Sequence, residues 1–236
     1  MSKLIDQLSV FLPTYNEEQN IKVVTLKVQS VLEKIADKWE IIIVDDGSTD
    51  STYESALGLL KTDKRIRLIH HKENMGYGAA LKSGFYNARY NWIAFIDSDG
   101  QFDFSEMPGF IDKQKETGAD LVIGYYKKRK VSFTKILTSK GWELLVLALF
   151  GLRARDIDCG FKLVSKKVID SIPKLQSERG AFISSELLIK AKKKGFKIVE
   201  IPVTHYPRLR GLGTGRNINV IIKSFVDLFK LWRKLR

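Results

Sequence analysis

Asp97 and Asp99 are the sharpest candidates for chemistry in the chain, because they stand one residue apart directly after the apolar run 92–96. Mg²⁺ and Mn²⁺ prefer oxygen ligands and usually keep several waters while bridging to phosphates. Two carboxylates at a tight turn, with the carbonyl of Gln101, would supply part of that coordination shell. A bound metal would act as a Lewis acid and offset negative charge on a departing phosphate group. Taken alone, such a pair is more often a solvated turn or a helix cap, so its surroundings decide.

Two further polar clusters also follow apolar runs. Residues 13–17 (Pro-Thr-Tyr-Asn-Glu) come after the run 8–12, and residues 45–50 (Asp-Asp-Gly-Ser-Thr-Asp) come after the run 41–44. In a parallel α/β sheet, ligands bind beyond the carboxyl ends of the strands. Together with the aspartate pair, these clusters could hold a base, a ribose and a metal-bound diphosphate.

Two segments near these clusters allow two interpretations each. The Asp46 carboxylate could accept a hydrogen bond from a base or ribose, or Asp46-Gly47 could simply form a turn before a capped helix. The glycine-punctuated segment 74–82 could point backbone N–H groups at a phosphate. Its glycines could equally serve close packing of a helix against the sheet.

The elements that position these clusters alternate between strands and helices. We predict strands at 8–12, 41–44, 66–69, 92–96 and 121–123, and helices at 21–36, 49–60, 78–88 and from a Ser105 cap to 117. The second half is less regular, with helices at 133–150, 184–194 and 218–235 and strands at 161–164 and 197–203. Pro202 favours an edge position for the last strand. This order predicts a single α/β domain with a mostly parallel central sheet and helices on both faces.

The charge of the chain is unevenly distributed. Residues 1–120 hold 14 Lys and Arg against 19 Asp and Glu, and residues 121–236 hold 26 against 8. A uniformly basic nucleic-acid binder would not need that division, so we expect no nucleic-acid partner. The division would be explained if the acidic first half carries out metal chemistry and the basic second half binds an anionic partner.

The sequence predicts a cytoplasmic location. Cys159 is the single cysteine, which excludes an internal disulfide and suits a reducing compartment; we expect it to be buried. Residues 1–7 lack a signal-peptide pattern. The longest apolar run, 144–152, is far shorter than the ~20 residues of a membrane span. Peripheral attachment to the inner face of the plasma membrane is the alternative to a freely diffusing protein.

Four motifs, in this order and spacing, resemble those of family 2 glycosyltransferases: Leu12-Pro-Thr-Tyr-Asn-Glu-Glu18, Val44-Asp-Asp-Gly-Ser-Thr-Asp50, Asn74-x-Gly-x-Gly78 and Asp97-Ser-Asp-Gly-Gln101. The resemblance implies a GT-A fold, inversion at the anomeric carbon and a donor site that uses Mg²⁺ or Mn²⁺. The donor would be a GDP- or UDP-sugar. The metal and donor phosphates would contact Asp97, Asp99 and Gln101. The nucleotide sugar would contact Pro13, Tyr15, Glu17, Asp46 and Ser98.

The second half resembles the dolichol-phosphate mannose synthase branch, without its transmembrane helices. Asp156-Ile-Asp-Cys-Gly-Phe-Lys162 is similar to one motif of that branch, and Glu200-Ile-Pro-Val203 followed by 208–216 is similar to its closing motif. The chain departs from the branch in two places: Tyr125-Tyr126 and the basic run 127–130 replace an arginine, and Thr214-Gly215-Arg216 replaces a Ser-Lys pair. These departures concern the acceptor side.

Several basic residues could gather the acceptor phosphate and the donor diphosphate, since arginine suits bidentate phosphate contact. They are Arg129, Lys135, Arg208, Arg210 and Arg216. A lipid phosphate such as a polyprenyl phosphate is already an anion and needs no base. A sugar hydroxyl needs one, and Glu186 is then the candidate catalytic base, unless it is simply a glutamate favoured at a helix start.

Two classes other than a transferase stay open. A nucleotide-sugar sensor or silent scaffold would share the donor motifs, although an intact aspartate pair speaks against it. A non-sugar nucleotidyltransferase usually needs a basic, glycine-rich loop after its first strand, and residues 13–17 are acidic there.

We divide the chain into a catalytic domain, 1–217, and an amphipathic basic helix, 218–236. Both this helix and the apolar segment 142–152 could lie on a membrane surface. Alternatively, their apolar stripes pack on the domain itself or on a second subunit.

Overall fold

A seven-stranded sheet forms the centre of the molecule in the computed structural model, which describes residues 3–127, 133–178, 180, 182–208 and 218–235. The strand order is β3-β2-β1-β4-β6-β5-β7. The strands are β1 Ile5–Thr14, β2 Ala36–Asp45, β3 Ile66–His70, β4 Trp92–Ile96, β5 Leu121–Tyr126, β6 Phe161–Ser165 and β7 Ile198–Val203.

All strands except β6 run in the same direction. β6 is antiparallel to both of its neighbours, β4 and β5, so the amino end of β6 lies at the sheet edge where the other strands end. The mostly parallel sheet is therefore confirmed, with one reversed strand in its middle. Pro202 is on β7, an edge strand, where its missing N–H leaves no gap in the sheet.

Helices cover both faces of the sheet, as predicted. They are α1 Ile21–Ile35, α2 Thr52–Leu60, α3 Tyr77–Asn87, α4 Met107–Thr117, α5 Phe133–Phe150, α6 Lys166–Ser171, α7 Phe182–Lys193 and α8 Ile218–Leu235. One apolar core lies between the sheet and α1, α2 and α4. A second core lies between the opposite sheet face and α3, α5, α6, α7 and α8.

Strands β1 and β5 extend beyond their predicted bounds, and the structure also differs from the prediction at β2, α4 and α6. Strand β2 begins directly after α1 and is longer than predicted, because its first residues are partly exposed and lack an apolar run. Helix α4 begins at Met107 after a 3-10 turn, and the residue that caps this turn is Asp103, whose Oδ1 accepts the Ser105 amide at 2.9 Å. The prediction that Ser105 caps the helix was therefore wrong. The short helix α6 was not predicted.

The last helix, α8, is amphipathic and packs on α7. Leu228 and Leu231 are buried in the second core, whereas Phe225, Val226 and Phe229 are 40–47% exposed. Phe225 meets the Trp142 ring of α5 edge-on, with ring centroids 5.1 Å apart. Within the described ranges, no helix combines the length and apolarity that crossing a membrane requires.

Candidate functional site

Asp97 lies where β4 ends, and the reversed strand β6 brings Gly160 against it. The Asp97 amide donates to the Gly160 carbonyl at 3.2 Å. A Cβ atom added to Gly160 would lie 2.0 Å from Asp97 Oδ2, so no larger residue fits there without moving the carboxylate. The antiparallel insertion thus builds one wall of the site.

The Asp97 carboxylate is held on its other side by Tyr77, the first residue of α3. The Tyr77 hydroxyl donates to Asp97 Oδ1 at 2.8 Å. Burial, and then the charge of Asp99, raise the pKa of Asp97 to about 7, while the Tyr77 hydrogen bond and the charge of Lys162 act to lower it. Burial also raises the pKa of Tyr77, which therefore remains a hydrogen-bond donor.

Asp99 and Gln101 occupy the turn that follows β4. The Gln101 amide donates to Asp99 Oδ1 at 3.0 Å, and burial raises the pKa of Asp99, partly offset by that bond and by His205. The Gln101 backbone carbonyl accepts the Tyr206 amide at 2.8 Å, and Gln101 Nε2 donates to the Tyr206 carbonyl at 3.1 Å. The side-chain oxygen of Gln101 is therefore the atom it can best offer to a metal.

This donor set fits a hard divalent cation that also binds phosphate. Among the residues that the structure describes, no three or more His, Cys, Asp or Glu side chains form a self-sufficient metal cluster. Two carboxylates and an amide oxygen leave coordination positions for waters and a diphosphate, as Mg²⁺ and Mn²⁺ prefer. Burial raises the pKa of both aspartates, and the charge of Asp99 raises that of Asp97 further, so a cation would favour the ionised form of both.

Arg208 reaches this edge from the segment after β7. Its Nη2 contacts Glu17 Oε1, and its Nη1 lies 3.5 Å from Asp99 Oδ2. Glu17 is 7% exposed and also accepts from Asn20 Nδ2 at 2.6 Å. The structure thus joins two of the predicted nucleotide-sugar residues to a predicted metal ligand.

Pro13 and Ser98 connect the ends of β1 and β4. The Ser98 hydroxyl donates to the Pro13 carbonyl at 2.8 Å, and both residues are buried. Tyr15 is half-buried at the beginning of the loop that carries Glu17, where Asn16 adopts a left-handed φ of 53°. These contacts fix the loop that would surround a nucleotide base.

Asp46 is 3% exposed and is held by three donors. Its Oδ1 accepts from His71 Nδ1 at 2.6 Å and from the Met75 amide at 3.1 Å, and its Oδ2 accepts from the Gly76 amide at 2.8 Å. A carboxylate has about four acceptor positions. Asp46 can therefore accept one further hydrogen bond from a ligand.

Close packing explains the glycines of the segment 74–82. The Met75 and Gly76 amides are used on Asp46, so they are not aimed at a phosphate. A Cβ atom on Gly78 would lie 2.7 Å from the Ser177 carbonyl. These glycines let the start of α3 approach the neighbouring backbone, which was one of the two predicted explanations.

Glu186 lies on α7 and is 2% exposed. It accepts from Lys190 Nζ at 2.5 Å, from the Ser177 hydroxyl at 2.7 Å and from the Gln176 and Ser177 amides. Although burial opposes it, the hydrogen bonds from Lys190 and Ser177 lower the pKa of Glu186. Its partners lie outside the strand-end cluster, and a carboxylate with four donors and a lowered pKa is a weak base.

Some predicted residues cannot be assigned a position. Arg129, Arg210 and Arg216 lie outside the described residues, and for Lys135 only the backbone is described, as part of α5. Their predicted contacts with phosphate stay predictions.

Four residues of the site were missed or left without a role: Tyr77, Gly160, His71 and Lys162. Lys162 is completely buried, its Nζ donates to the Cys159 carbonyl, and burial lowers its pKa. Cys159 itself is buried, as predicted. Tyr77 and Gly160 carry no spacing signal, because they reach Asp97 from different elements. The signal that the sequence offered is Lys162 itself, a lysine inside a predicted, otherwise apolar strand.

Comparison with known proteins gives a consistent result. Residues 9–172 match the family described as Glycosyl transferase family 2. The chain is 29% identical over 235 residues to a dodecaprenyl-phosphate galacturonate synthase of Rhizobium johnstonii, covering 98% of this chain and 69% of that protein. It is 34% identical over 222 residues to the dolichyl-phosphate beta-glucosyltransferase of Saccharomyces cerevisiae, covering 84% of this chain and 66% of that protein. The chain therefore spans about two thirds of the length of these relatives.

Solved structures agree with the expected GT-A fold. Glucosyl-3-phosphoglycerate synthase from Mycobacterium tuberculosis, in complex with Mn²⁺, uridine diphosphate and phosphoglyceric acid, superposes with a TM-score of 0.67 at 21% identity. The alignment covers 93% of this chain and 78% of that one. The same synthase has been solved with Mg²⁺ and uridine diphosphate. The family match over most of the sheet and over all four motifs shows that this chain is a glycosyltransferase and belongs to glycosyl transferase family 2.

Proposed function

We propose that this glycosyltransferase moves a sugar, with inversion, from a UDP- or GDP-sugar to a polyprenyl phosphate at a membrane surface, with Mg²⁺ or Mn²⁺ at Asp97 and Asp99. The observation that carries the proposal is the part-buried pair of carboxylates at the carboxyl edge of the sheet. A bound cation would favour the ionised form of both groups in that position. A nucleoside diphosphate is the ligand that a Mg²⁺ or Mn²⁺ ion would bring with it.

The roles of the donor residues follow from their positions. The carboxylates of Asp97 and Asp99, with the side-chain oxygen of Gln101, would hold the metal, which supplies a Lewis acid for the leaving diphosphate. Pro13 and Tyr15 would border the base, and Asp46 would accept one hydrogen bond from the nucleoside. Ser98 fixes the loop through the Pro13 carbonyl.

Arg208 would change partners when the donor binds. Its guanidinium contacts Glu17 and Asp99, and a donor diphosphate would offer it a bidentate alternative. Arg210 and Arg216 belong to the same proposed phosphate-binding segment.

The acceptor step needs no base when the acceptor is a phosphate. A phosphate oxygen attacks the anomeric carbon from the face opposite the leaving group, the new carbon–oxygen bond forms, and the bond to the nucleoside diphosphate breaks with its electron pair. No proton has to be removed, because the acceptor is ionised at neutral pH. The two relatives, a dodecaprenyl-phosphate galacturonate synthase and a dolichyl-phosphate beta-glucosyltransferase, support this acceptor class.

The alternative is transfer to a sugar hydroxyl, with Glu186 as the base. The four donors around Glu186 and its lowered pKa speak against that role. We therefore keep the hydroxyl acceptor as the second candidate.

The membrane part of the proposal rests on α5 and α8. Leu144 of α5 is 65% exposed, and Phe225, Val226 and Phe229 of α8 are also exposed beside basic Lys230 and Arg233. Exposed apolar side chains next to basic ones suit an interface with anionic lipid. In this scheme residues 1–217 form the catalytic domain and residues 218–236 supply the helix that faces the membrane.

A donor panel tests the reaction. UDP- and GDP-sugars are incubated with Mn²⁺ or Mg²⁺, with and without a short polyprenyl phosphate, and nucleotide release and glycolipid are measured. We expect glycolipid only with metal and lipid phosphate both present. Transfer to a glycan hydroxyl instead would support the second candidate, and binding without turnover for any pair would indicate a sensor or scaffold.

Vesicle sedimentation tests the membrane part. The F225S/F229S double variant should lose binding to vesicles that contain phosphatidylglycerol, and added salt should weaken binding by the wild type. The matched control is V23S/L26S, which removes two equally exposed apolar side chains from α1 on the opposite face of the sheet. Equal binding by both variants would contradict the proposed surface.

A further inference from the structure

A line of hydrogen bonds leads from Asp46 to helix α3 through His71. His71 follows β3, and its side chain is 10% exposed. Its Nδ1 lies 2.6 Å from Asp46 Oδ1, and its Nε2 lies 2.8 Å from the Ser83 hydroxyl. The His71 amide also donates to the Asp45 carbonyl at 2.9 Å. The imidazole is therefore fixed at both ring nitrogens and at its own backbone.

The partners assign the protons of this array. A carboxylate oxygen only accepts, so Nδ1 carries the hydrogen and donates to Asp46. In the neutral ring Nε2 then accepts from the Ser83 hydroxyl. Asp46 thus selects the tautomer, and the Ser83 hydroxyl, which can donate or accept, complements it at the other ring nitrogen.

The array extends to the proposed metal site. Asp46 also accepts the amides of Met75 and Gly76, which precede Tyr77. Tyr77 in turn donates to Asp97. One continuous series of contacts therefore connects the end of β3 with the end of β4, and Asp46 is its central member.

We propose that His71 is a positioning residue for donor recognition: it fixes the Asp46 carboxylate so that its remaining acceptor position faces the nucleoside. This inference rests on the proposed function, because it assigns a specific task to the donor site. Without the His71 hydrogen bond, only the Met75 and Gly76 amides hold the Asp46 carboxylate, and part of the binding energy of the nucleoside is lost in fixing it.

Two substitutions separate the hydrogen bond from the bulk of the side chain. The amide nitrogen of Asn lies close to the position of His Nδ1, so H71N keeps a donor for Asp46. The amide nitrogen of Gln lies closer to the position of Nε2, so H71Q keeps a partner for Ser83 but not for Asp46. With Mn²⁺ present, calorimetry with UDP and GDP should give a Kd about tenfold weaker for H71Q and within about threefold of wild type for H71N.

The donor kinetics should show the same division. For H71Q we expect the KM of the sugar donor to rise about tenfold and kcat to fall by less than about threefold, because the metal ligands are intact. S83A, which removes the far partner but leaves the imidazole, should raise the donor KM about threefold and provides a test if H71Q folds poorly.

His70 offers the matched control. Its Nδ1 lies 2.8 Å from Asp45 Oδ2, so it forms the same kind of pair one residue earlier, with a side chain that is 37% exposed. H70N and H70Q should both stay within about twofold of wild type. Equal losses in H71N and H71Q, or wild-type affinity in H71Q and S83A, would overturn the role of His71. If the wild type binds neither nucleotide, the proposed function fails and this inference fails with it.

Discussion

Arg208 lies beside Asp99, with Nη1 3.5 Å from Oδ2, and so places a guanidinium next to a carboxylate that we assign to a metal. The same guanidinium contacts Glu17. Arg208 therefore supplies positive charge where the proposed metal and donor would act. Because it is 23% exposed, the contact is partly screened by water and can be exchanged for another.

Replacing Arg208 should have opposite effects on metal and donor. In R208Q, we expect Mn²⁺ alone to bind about threefold more tightly, because a competing cation is gone. The donor KM should rise about tenfold, because a phosphate contact is lost. Calorimetry and initial rates measure the two effects. Arg65, which bridges Asp63 and Glu33, is the matched control, and R65Q should change neither quantity; a parallel loss of both affinities in R208Q would contradict the competition.

The aspartate pair should be essential for transfer. D97N and D99N each remove one proposed metal ligand, and we expect kcat/KM to fall by at least about 100-fold, with the apparent Mn²⁺ requirement raised. D103N is the nearby control, because Asp103 only caps the 3-10 turn through the Ser105 amide. Near-normal turnover by D99N at ordinary metal concentration would disprove the assignment.

Metal binding should depend on pH through Asp97, whose pKa is raised to about 7. The metal binds the ionised carboxylate, so apparent Mn²⁺ affinity should fall as the pH drops below about 7 and level off above it. Without metal, the stability of the fold depends on pH in the opposite direction. The folded state holds the Asp97 proton more tightly than the unfolded chain does, so stability is lost as the pH rises from about 4 to 7. Metal-free D97N should therefore unfold at a higher temperature than wild type at pH 8.

Tyr77 allows an independent test of that titration. The Tyr77 hydroxyl lowers the pKa of Asp97, so Y77F should move the midpoint of the Mn²⁺ binding curve to higher pH. The comparison needs only metal titrations at several pH values. A midpoint that stays in place or moves down would show that Asp97 is not the titrating group.

Gly160 should tolerate no side chain. In G160A the new Cβ would lie 2.0 Å from Asp97 Oδ2, so the carboxylate must move and we expect a loss of about 100-fold in kcat/KM. The control is G58A, because a Cβ atom at Gly58 of α2 meets nothing within 4 Å. G58A should keep full activity and match or exceed wild-type stability.

Glu186 should matter for stability more than for catalysis. E186Q leaves Lys190 buried without its charge partner, which we expect to cost about 3 kcal/mol in urea unfolding, while the rate per folded molecule stays near wild type. Because the pKa of Glu186 is lowered from 4.5, its contribution is present above that pH and is lost as the pH falls below it. The control is the corresponding loss of the more exposed i,i+4 ion pair between Lys166 and Asp170. If E186Q instead lost only the transfer to a sugar hydroxyl, that result would support Glu186 as the catalytic base.

The first half of the fold followed directly from the sequence. Strand β4 and the following Asp97 could be located because a buried parallel strand is a short apolar run that ends at polar residues. The orientation of β6 could not be predicted, since its composition fits either direction. Strand β6 follows β5 after a long connection through α5, and nothing in the sequence of that connection indicates that β6 runs antiparallel to β5.

The chemistry of the site was predictable only where ligand types cluster in sequence. Asp97, Asp99 and Gln101 are neighbours, and their position after an apolar run, beside two other polar clusters that follow apolar runs, suggested a metal. Tyr77 and His71 act through contacts between elements, which only the folded chain shows. Glu186 was selected for its place near a helix start, but its four donors come from α7 itself and from residues 176–177.

The reversed strand β6 also has a consequence for the order in which the protein folds. Strands β1, β2 and β3 form from consecutive βα units, whereas β6 must enter between β4 and β5, and its pairs with β4 join distant residues such as Trp92 and Ser165. Pairing over a long separation carries a larger loop-closure cost and forms later than the more local pairing among β1, β2 and β3. Gly160 meets Asp97 only when β6 is in place. During refolding from urea, helix content should therefore recover before the ability to bind Mn²⁺, so that metal binding marks a late step of folding.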